Sequence, residues 1–299
     1  MNLVSLIYTA LVVLQVGIIV TGGAVRLTGS GLGCPTWPQC VSGSISPVAH
    51  QAQGTLHSWI EFGNRLLTAL LFIAIIAAVI GAFRWGKGRS DWKMIRLLAL
   101  TQIVGIVAQI VLGGITVLTK LNPFTVSAHF LLSIALIPPT LSLRERIIAK
   151  ARTTVLPTTK LLIRAVTALS LIVITLGTVV TGSGPHAGDI QAKRYHIEPR
   201  FISWVHADSV IALIGLILAL FLVIKVSEPR EVQSFIGRKV LLFLALCLSQ
   251  GLIGYIQYFT HLPEALVAAH ILGAGLIWLY AWNIAFKANA FTRQPLVKN

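Results

Sequence analysis

Eight long, predominantly apolar stretches, separated by short polar and basic segments, constrain this 299-residue chain more than any other feature. A helix that crosses a bilayer needs ~20 such residues, because the hydrocarbon core is ~30 Å thick and every backbone polar group must be satisfied within the segment. The runs lie near 3–23, 59–82, 95–118, 124–143, 161–182, 204–224, 239–259 and 265–286. The chain is 56% hydrophobic and only 11% charged, with the charges gathered between the runs, which excludes an ordinary soluble domain. The expected fold is all-α: a polytopic membrane protein of eight transmembrane helices. No basic segment precedes the first run, and it is long for a signal-peptide core, so it reads as a true span.

A net charge of +15 would suit nucleic acid if the basic residues were spread over one surface. Instead they sort by loop. Eighteen of the 24 Lys and Arg fall in or beside loops 2–3, 4–5 and 6–7 and the C-terminal tail, among them Arg84, Arg144, Lys150, Arg152, Lys225, Arg293 and Lys298. Six (Arg26, Arg65, Lys120, Lys193, Arg194 and Arg200) belong to the other side. The positive-inside rule then places both termini in the cytoplasm of a cell-membrane protein. The basic clusters read as topology signals and contacts with membrane lipids, and no nucleic acid is expected.

The chain also repeats itself. Residues 109–129, QIVLGGITVLTKLNPFTVSAH, align without a gap on 250–270, QGLIGYIQYFTHLPEALVAAH, with eight of 21 positions identical. Apolar composition alone would match Ile, Leu and Val, but not Gln109 with Gln250, Gly113 with Gly254, Thr119 with Thr260 and His129 with His270 in one register. Each half also carries a Thr-Gly-Ser-Gly segment, at 28–31 and 181–184, after its first helix. The expectation is two parallel-repeat four-helix bundles, over 1–150 and 151–299, related by an axis along the membrane normal.

Ionisable side chains inside spans are costly to bury, which makes them functional candidates. Glu61 falls in the first turns of helix 2, with His57 one turn before it and Asn64 and Arg65 one turn after; His129, His206 and His270 fall in helices 4, 6 and 8. All lie within one or two turns of the same boundary, so they form a layer. Facing imidazoles at equal depth can hold a haem iron within a helical bundle, and His206 with His270 fits that pattern. Imidazole serves copper, zinc and non-haem iron as well, so spacing does not name the metal. Glu61 has two readings, a carboxyl that trades protons and a structural partner of Arg65 at i+4. His50, His57, His186, His196 and His261 lie in or near the loops and are expected at the solvated surface, with His57 retained because it shares Glu61's helix face.

Cys34 and Cys40 sit in GSGLGCPTWPQC, in a compartment where a disulfide bond is allowed. Such a bond is either a staple for the loop or a redox-active dithiol. Cys247 is expected to be buried in helix 7 and inert.

These motifs, TGSGLGC…C after helix 1, IEFGNR, SAHF, WVHAD and AAHILGA, together resemble the haem A synthase family across the whole chain. The resemblance implies an enzyme, a haem-dependent oxidoreductase that oxidises the ring-position-eight methyl of haem O to a formyl group, giving haem A for cytochrome oxidase. It further implies a haem b between His206 and His270 in the second half. The haem O substrate would sit in the first half, with His129 on its iron and Glu61 as the essential acidic residue. Haem O synthase and other cytochrome oxidase assembly factors are the implied partners, and a homo-oligomer is compatible with the family. Two departures stand out: Asn64 occupies a position where many members carry His, leaving that substrate iron five-coordinate or open to His57, and loop 5–6 lacks a second cysteine pair. The rival readings are a haem-binding electron-transfer subunit without catalysis, which would carry matched ligand pairs in both halves, and a parallel-repeat transporter, which would carry broken helices and midplane charges.

Overall fold

A computed structural model of the chain describes residues 3–148, 153–190 and 192–288. Among these residues, eight helices are long and apolar enough to cross a membrane, and they coincide with the eight expected runs. They are α1 Leu3–Leu27, α2 Thr55–Gly86, α3 Trp92–Leu118, α4 Pro123–Ile147, α5 Pro157–Ser183, α6 Pro199–Ser227, α7 Arg230–Phe259 and α8 Glu264–Lys287. Near its start, after Arg230–Val232, helix α7 carries one turn of π-helix at Gln233–Gly237.

Local chemistry sets the helix starts. Helices α4, α5 and α6 begin on Pro123, Pro157 and Pro199, where a missing N–H goes unnoticed and the fixed φ already suits a helix. Asn122 caps α4 by accepting the Phe124 N–H, and Glu198 caps α6 by accepting those of Arg200 and Phe201. Pro138 and Pro139 lie inside α4, and a proline there removes the hydrogen bond to the carbonyl four residues earlier. For Pro138 that carbonyl is Ile134, and it accepts the Trp278 indole N–H of α8 at 2.8 Å. A break in one helix thus becomes a joint with another.

Helices α1 to α4 pack mainly among themselves, as do α5 to α8, and α8 crosses between the groups by packing on α1 and α4. Where α1, α3 and α4 meet, Gln15, Gln102 and Thr140 form a buried polar cluster with contacts of 2.7–2.9 Å. In an apolar setting such groups must find each other, because each one left alone costs several kcal/mol.

At the face bearing the α2–α3 and α4–α5 connections, Asp91 pairs with Arg89 and Arg146, and Glu145 pairs with Arg144 and Lys287. Four basic residues read from the sequence as topology signals are therefore also structural partners. Lys150, Arg152, Arg293 and Lys298 lie outside the described residues.

At the opposite face, the α3–α4 and α7–α8 connections share an unusual backbone. Lys120 and Leu121 have positive φ (53° and 56°), and so do His261 and Leu262 (63° and 60°), two consecutive non-glycine residues at matched positions of the aligned segments. In each, the second residue's N–H donates to a carbonyl five residues back, Leu121 to Thr116 and Leu262 to Gln257. The α1–α2 and α5–α6 loops meet above this face: the Gly31 N–H donates to the Gly188 carbonyl at 2.9 Å, and Leu121, Ala187 and Ala192 form a small apolar cluster beneath. This capped end holds the site.

Candidate functional site

Counted from the first residue of their helices, Glu61, His129 and His270 each lie six residues in and His206 seven. At 1.5 Å per residue this is a common depth of about 9–10 Å. The layer expected from the sequence exists, and a single cavity of about 1260 Å³ joins its members. Typical small-molecule pockets hold roughly 300–1,000 Å³. Glu61, Asn64, Arg65, His129, His206 and His270 all line this larger space, along with Arg26 and apolar side chains from both groups of helices.

Each histidine rests on a glycine of the preceding helix. A Cβ added at Gly113 would lie 3.2 Å from Cε1 of His129; the corresponding values are 3.4 Å for Gly177 and His206, and 3.5 Å for Gly254 and His270. The absent side chains let the imidazoles lie flat against α3, α5 and α7. Gly113 and Gly254 were visible as repeat matches, but Gly177 was not, and nothing in its apolar surroundings marked it.

The His206 and His270 rings lie with centroids 6.4 Å apart and their planes 73° to each other. Two imidazoles binding one ion from opposite sides, with ~2 Å per metal–nitrogen bond, have ring centres about 6 Å apart. The Nδ1 atoms of His129, His206 and His270 are buried and make no hydrogen bond of ordinary geometry, although the Val173 carbonyl interacts with the His206 ring. Gln109 and Gln250, matched in the repeat, stand beside His129 and His270 with unpartnered Oε1 atoms. Buried polar atoms are normally satisfied, so this concentration of orphans in one cavity fits an occupant that supplies partners. Among the described residues no group of three or more His, Cys, Asp or Glu converges, so there is no cage for a bare ion. The donor set suits a flat group that brings its own equatorial ligands and needs only axial imidazoles.

Around Glu61 the structure forms the i+4 pair with Arg65 and adds the loop residues, which the sequence left apart. Its carboxylate accepts the Cys34 N–H at 2.6 Å and pairs with Arg65 at 2.6 and 3.2 Å. Arg65 in turn donates to the carbonyls of Cys34, Thr36, Pro38 and Gln39, at 3.0–3.4 Å. Cys34 and Cys40 form a disulfide, and both are fully buried. Gly33 touches α2 so closely that an added Cβ would strike the His57 carbonyl, and Trp37 lies over Gly114 of α3. The disulfide loop is therefore a plug seated on α2 and α3, with Glu61 and Arg65 as its anchor.

Asn64 lines the cavity but is occupied by Thr21, whose hydroxyl lies 2.8 Å from its Oδ1. His57 is not among the lining residues; its Nδ1 meets the Ser30 hydroxyl at 3.0 Å. Sharing Glu61's helix face was not enough to bring it into the cavity. His50, His196 and His261 are exposed as expected, whereas His186 is half-buried with Nε2 2.9 Å from the Leu262 carbonyl, tying two outer loops together. Arg26 spans the boundary between the helix groups, donating to the carbonyls of His186 and Thr181 at 2.5 and 2.7 Å. Cys247 is a buried free thiol.

Eight helices long and apolar enough to cross a membrane, with a histidine-lined cavity near one end, define a multi-pass membrane protein. The chain belongs to the COX15-CtaA family of cytochrome oxidase assembly proteins, whose sequence pattern matches residues 5–282. Curated relatives include a heme A synthase of Geobacillus thermodenitrificans, 33% identical over 116 residues, or 38% of this chain and 32% of that protein. Another is the heme A synthase of Lysinibacillus sphaericus (strain C3-41), 31% identical over 115 residues, 38% of this chain and 35% of the relative. A third, from Listeria welshimeri, is 29% identical over 130 residues, 43% of this chain and 40% of the relative. These matches thus span about a third to two fifths of the relatives' length.

Proposed function

We propose that this protein is a haem A synthase of the cell membrane, with both termini cytoplasmic. It would oxidise the ring-position-eight methyl of haem O to a formyl group by two successive hydroxylations, each consuming one dioxygen, two protons and two electrons from an external donor and releasing one water, after which the geminal diol loses water. The observation that carries this reading is the pair His206 and His270, their ring centres 6.4 Å apart, sharing one cavity with His129 at equal depth.

In this reading the second half, 151–299, binds a haem b through His206 and His270, and the first half, 1–150, receives haem O with His129 facing its iron. A b-type haem supplies one-electron carriage; the protein supplies position, proton management and exclusion of water. Gly113, Gly177 and Gly254 set the imidazole planes. Asn64, held by Thr21, offers no imidazole opposite His129, so an open position on the substrate iron is the expected arrangement. That asymmetry favours a catalyst over an electron-transfer subunit with matched ligand pairs.

Glu61 lies at the cavity wall with both carboxylate oxygens engaged, one by the Cys34 N–H and the other by Arg65. It orients the edge of the substrate, and any proton it takes or gives passes at the cost of one of those contacts. Arg26 and Arg65, the cationic residues lining the cavity, are placed to meet acidic substituents of the bound groups. The implied partners are haem O synthase and the oxidase assembly factors that receive the product, and a homo-oligomer is compatible with the arrangement.

The test is to purify the full chain with haem supplied during expression, record reduced-minus-oxidised spectra, and separate the extracted haems. A bis-imidazole b-type spectrum lost in His206→Ala, with haem O accumulating in Glu61→Gln, is expected. Absence of any co-purifying haem overturns the proposal.

A further inference from the structure

A second, smaller cavity of about 330 Å³ lies at the far end of the molecule from the histidines, between the last turns of α6 and the first turns of α7. Its polar wall carries Lys225, Arg230 and Arg238, with Gln233 and Ser234 between them; its floor is Phe221 and Leu241. No Asp or Glu lines it. Two neighbouring carboxylates could in principle neutralise it. Glu228 is buried and turned to the start of α5, where it accepts the Leu156 N–H at 2.8 Å, and Glu231 is not among the lining residues.

Among the described residues none of the three cations has an acidic partner within ion-pair distance; Lys225 only lies over the Phe221 ring, at 5.6 Å. Elsewhere on this face four cations are paired, Asp91 engaging Arg89 and Arg146, and Glu145 engaging Arg144 and Lys287. The α6–α7 junction is thus a built concavity in which three positive charges converge without a counter-charge. The π-helical turn Gln233–Gly237 contributes Gln233, Ser234 and Gly237 to one wall, and π-turns recur at functional sites.

We propose that this cavity binds the phosphate of an anionic phospholipid. The chemistry common to all its ligands is a phosphate group, matched by two guanidiniums and an ammonium. The lipid is selected over a soluble phosphate by what surrounds the cavity. Leu218, Leu222, Leu241 and Leu242 stand 44–61% exposed immediately below the charged wall, an apolar surface that acyl chains attached to the bound phosphate would cover.

The test uses the full chain in neutral detergent and native mass spectrometry of bound lipid. Phosphatidylglycerol and phosphatidylcholine are titrated separately, with and without inorganic phosphate as competitor. Phosphatidylglycerol is expected to bind preferentially, with millimolar phosphate failing to displace it. The triple variant K225Q/R230Q/R238Q is expected to lose that preference, by roughly 10- to 100-fold for three interfacial cations. The variant R84Q/K87Q/R96Q removes the same charge from exposed positions on the same face and is expected to retain it. Elution profile and melting temperature verify that both variants fold. Equal loss in the two variants would reduce the effect to diffuse surface charge and overturn the site. Efficient displacement by inorganic phosphate would overturn the lipid assignment, and indifference of wild type to headgroup charge would overturn the proposal altogether.

Discussion

Removing the Arg65 side chain should unseat the disulfide loop, and the size of the effect can be worked from the contacts. Arg65 pairs with a nearly buried carboxylate and donates to the carbonyls of Cys34, Thr36, Pro38 and Gln39. Breaking a fully buried ion pair by deleting one partner costs ~3–5 kcal/mol. The Arg65 side chain is 22% exposed, so solvent screening reduces this to about 2–3 kcal/mol for opening the loop in Arg65→Gln. Cys34 and Cys40 are fully buried, so a reductant reaches them only when the loop opens. If opening is fast and reversible, their reduction rate tracks the open population and should rise roughly 30- to 150-fold. The assay is pseudo-first-order reduction by dithiothreitol at fixed pH, quenched with an alkylating reagent and read by mass. Arg65→Lys, which keeps the charge but not the branched donor set, should fall between. A rate within threefold of wild type in Arg65→Gln would refute the anchoring role of the Glu61–Arg65 pair.

Three further outcomes follow from other parts of the structure. Gly113→Ala should disturb His129, because the new Cβ would sit 3.2 Å from its ring, whereas Gly254→Ala, at 3.5 Å, makes ordinary contact with His270; visible spectra and extracted haem content of the two variants should differ accordingly, and equal behaviour would contradict the seating argument. Trp278→Phe leaves the carbonyl freed by Pro138 without its donor and should lower stability by about 1–3 kcal/mol, measured as a drop in thermal midpoint, while Trp282→Phe removes only a part-buried bond to Ser142 and should cost less. Asp91 is pushed up by partial burial but pulled further down by the hydrogen bonds and charges of Arg89 and Arg146, so its pKa lies below the usual 3.8. A lowered carboxyl pKa adds stability that is present above the unfolded value and lost as pH falls through the folded one. The stability gap between wild type and Asp91→Asn should therefore persist at pH 5 and close below pH 4, and a gap independent of pH would show that the ion pairs contribute nothing.

Much of this protein was legible in its sequence. The number and position of the helices follow from the length of the apolar runs, because the bilayer admits few alternatives for a chain with so little charge. The histidine layer was equally visible, since the even-numbered helices start at one face and His129, His206 and His270 fall within one or two turns of it. The chain's matched Gln, Gly and His positions also announced which residues would meet at one depth.

What distances along the chain could not reveal is which side chains occupy each other once the helices close. His57 and Glu61 share a helix face, yet Ser30 takes the histidine while the Cys34 N–H and Arg65 take the carboxylate. That division depends on a loop folding back over α2, a contact across 27 residues that no periodicity encodes. Gly177 gained its role only when His206 came to lie against it, and the Ile134 carbonyl became a joint only because Trp278 arrived from α8. Apolar periodicity reports the environment of each helix face, which is nearly uniform in lipid. The pairing of individual polar atoms is settled by three-dimensional packing, because an unmet donor or acceptor in that medium must be answered by whichever neighbour the fold brings within reach.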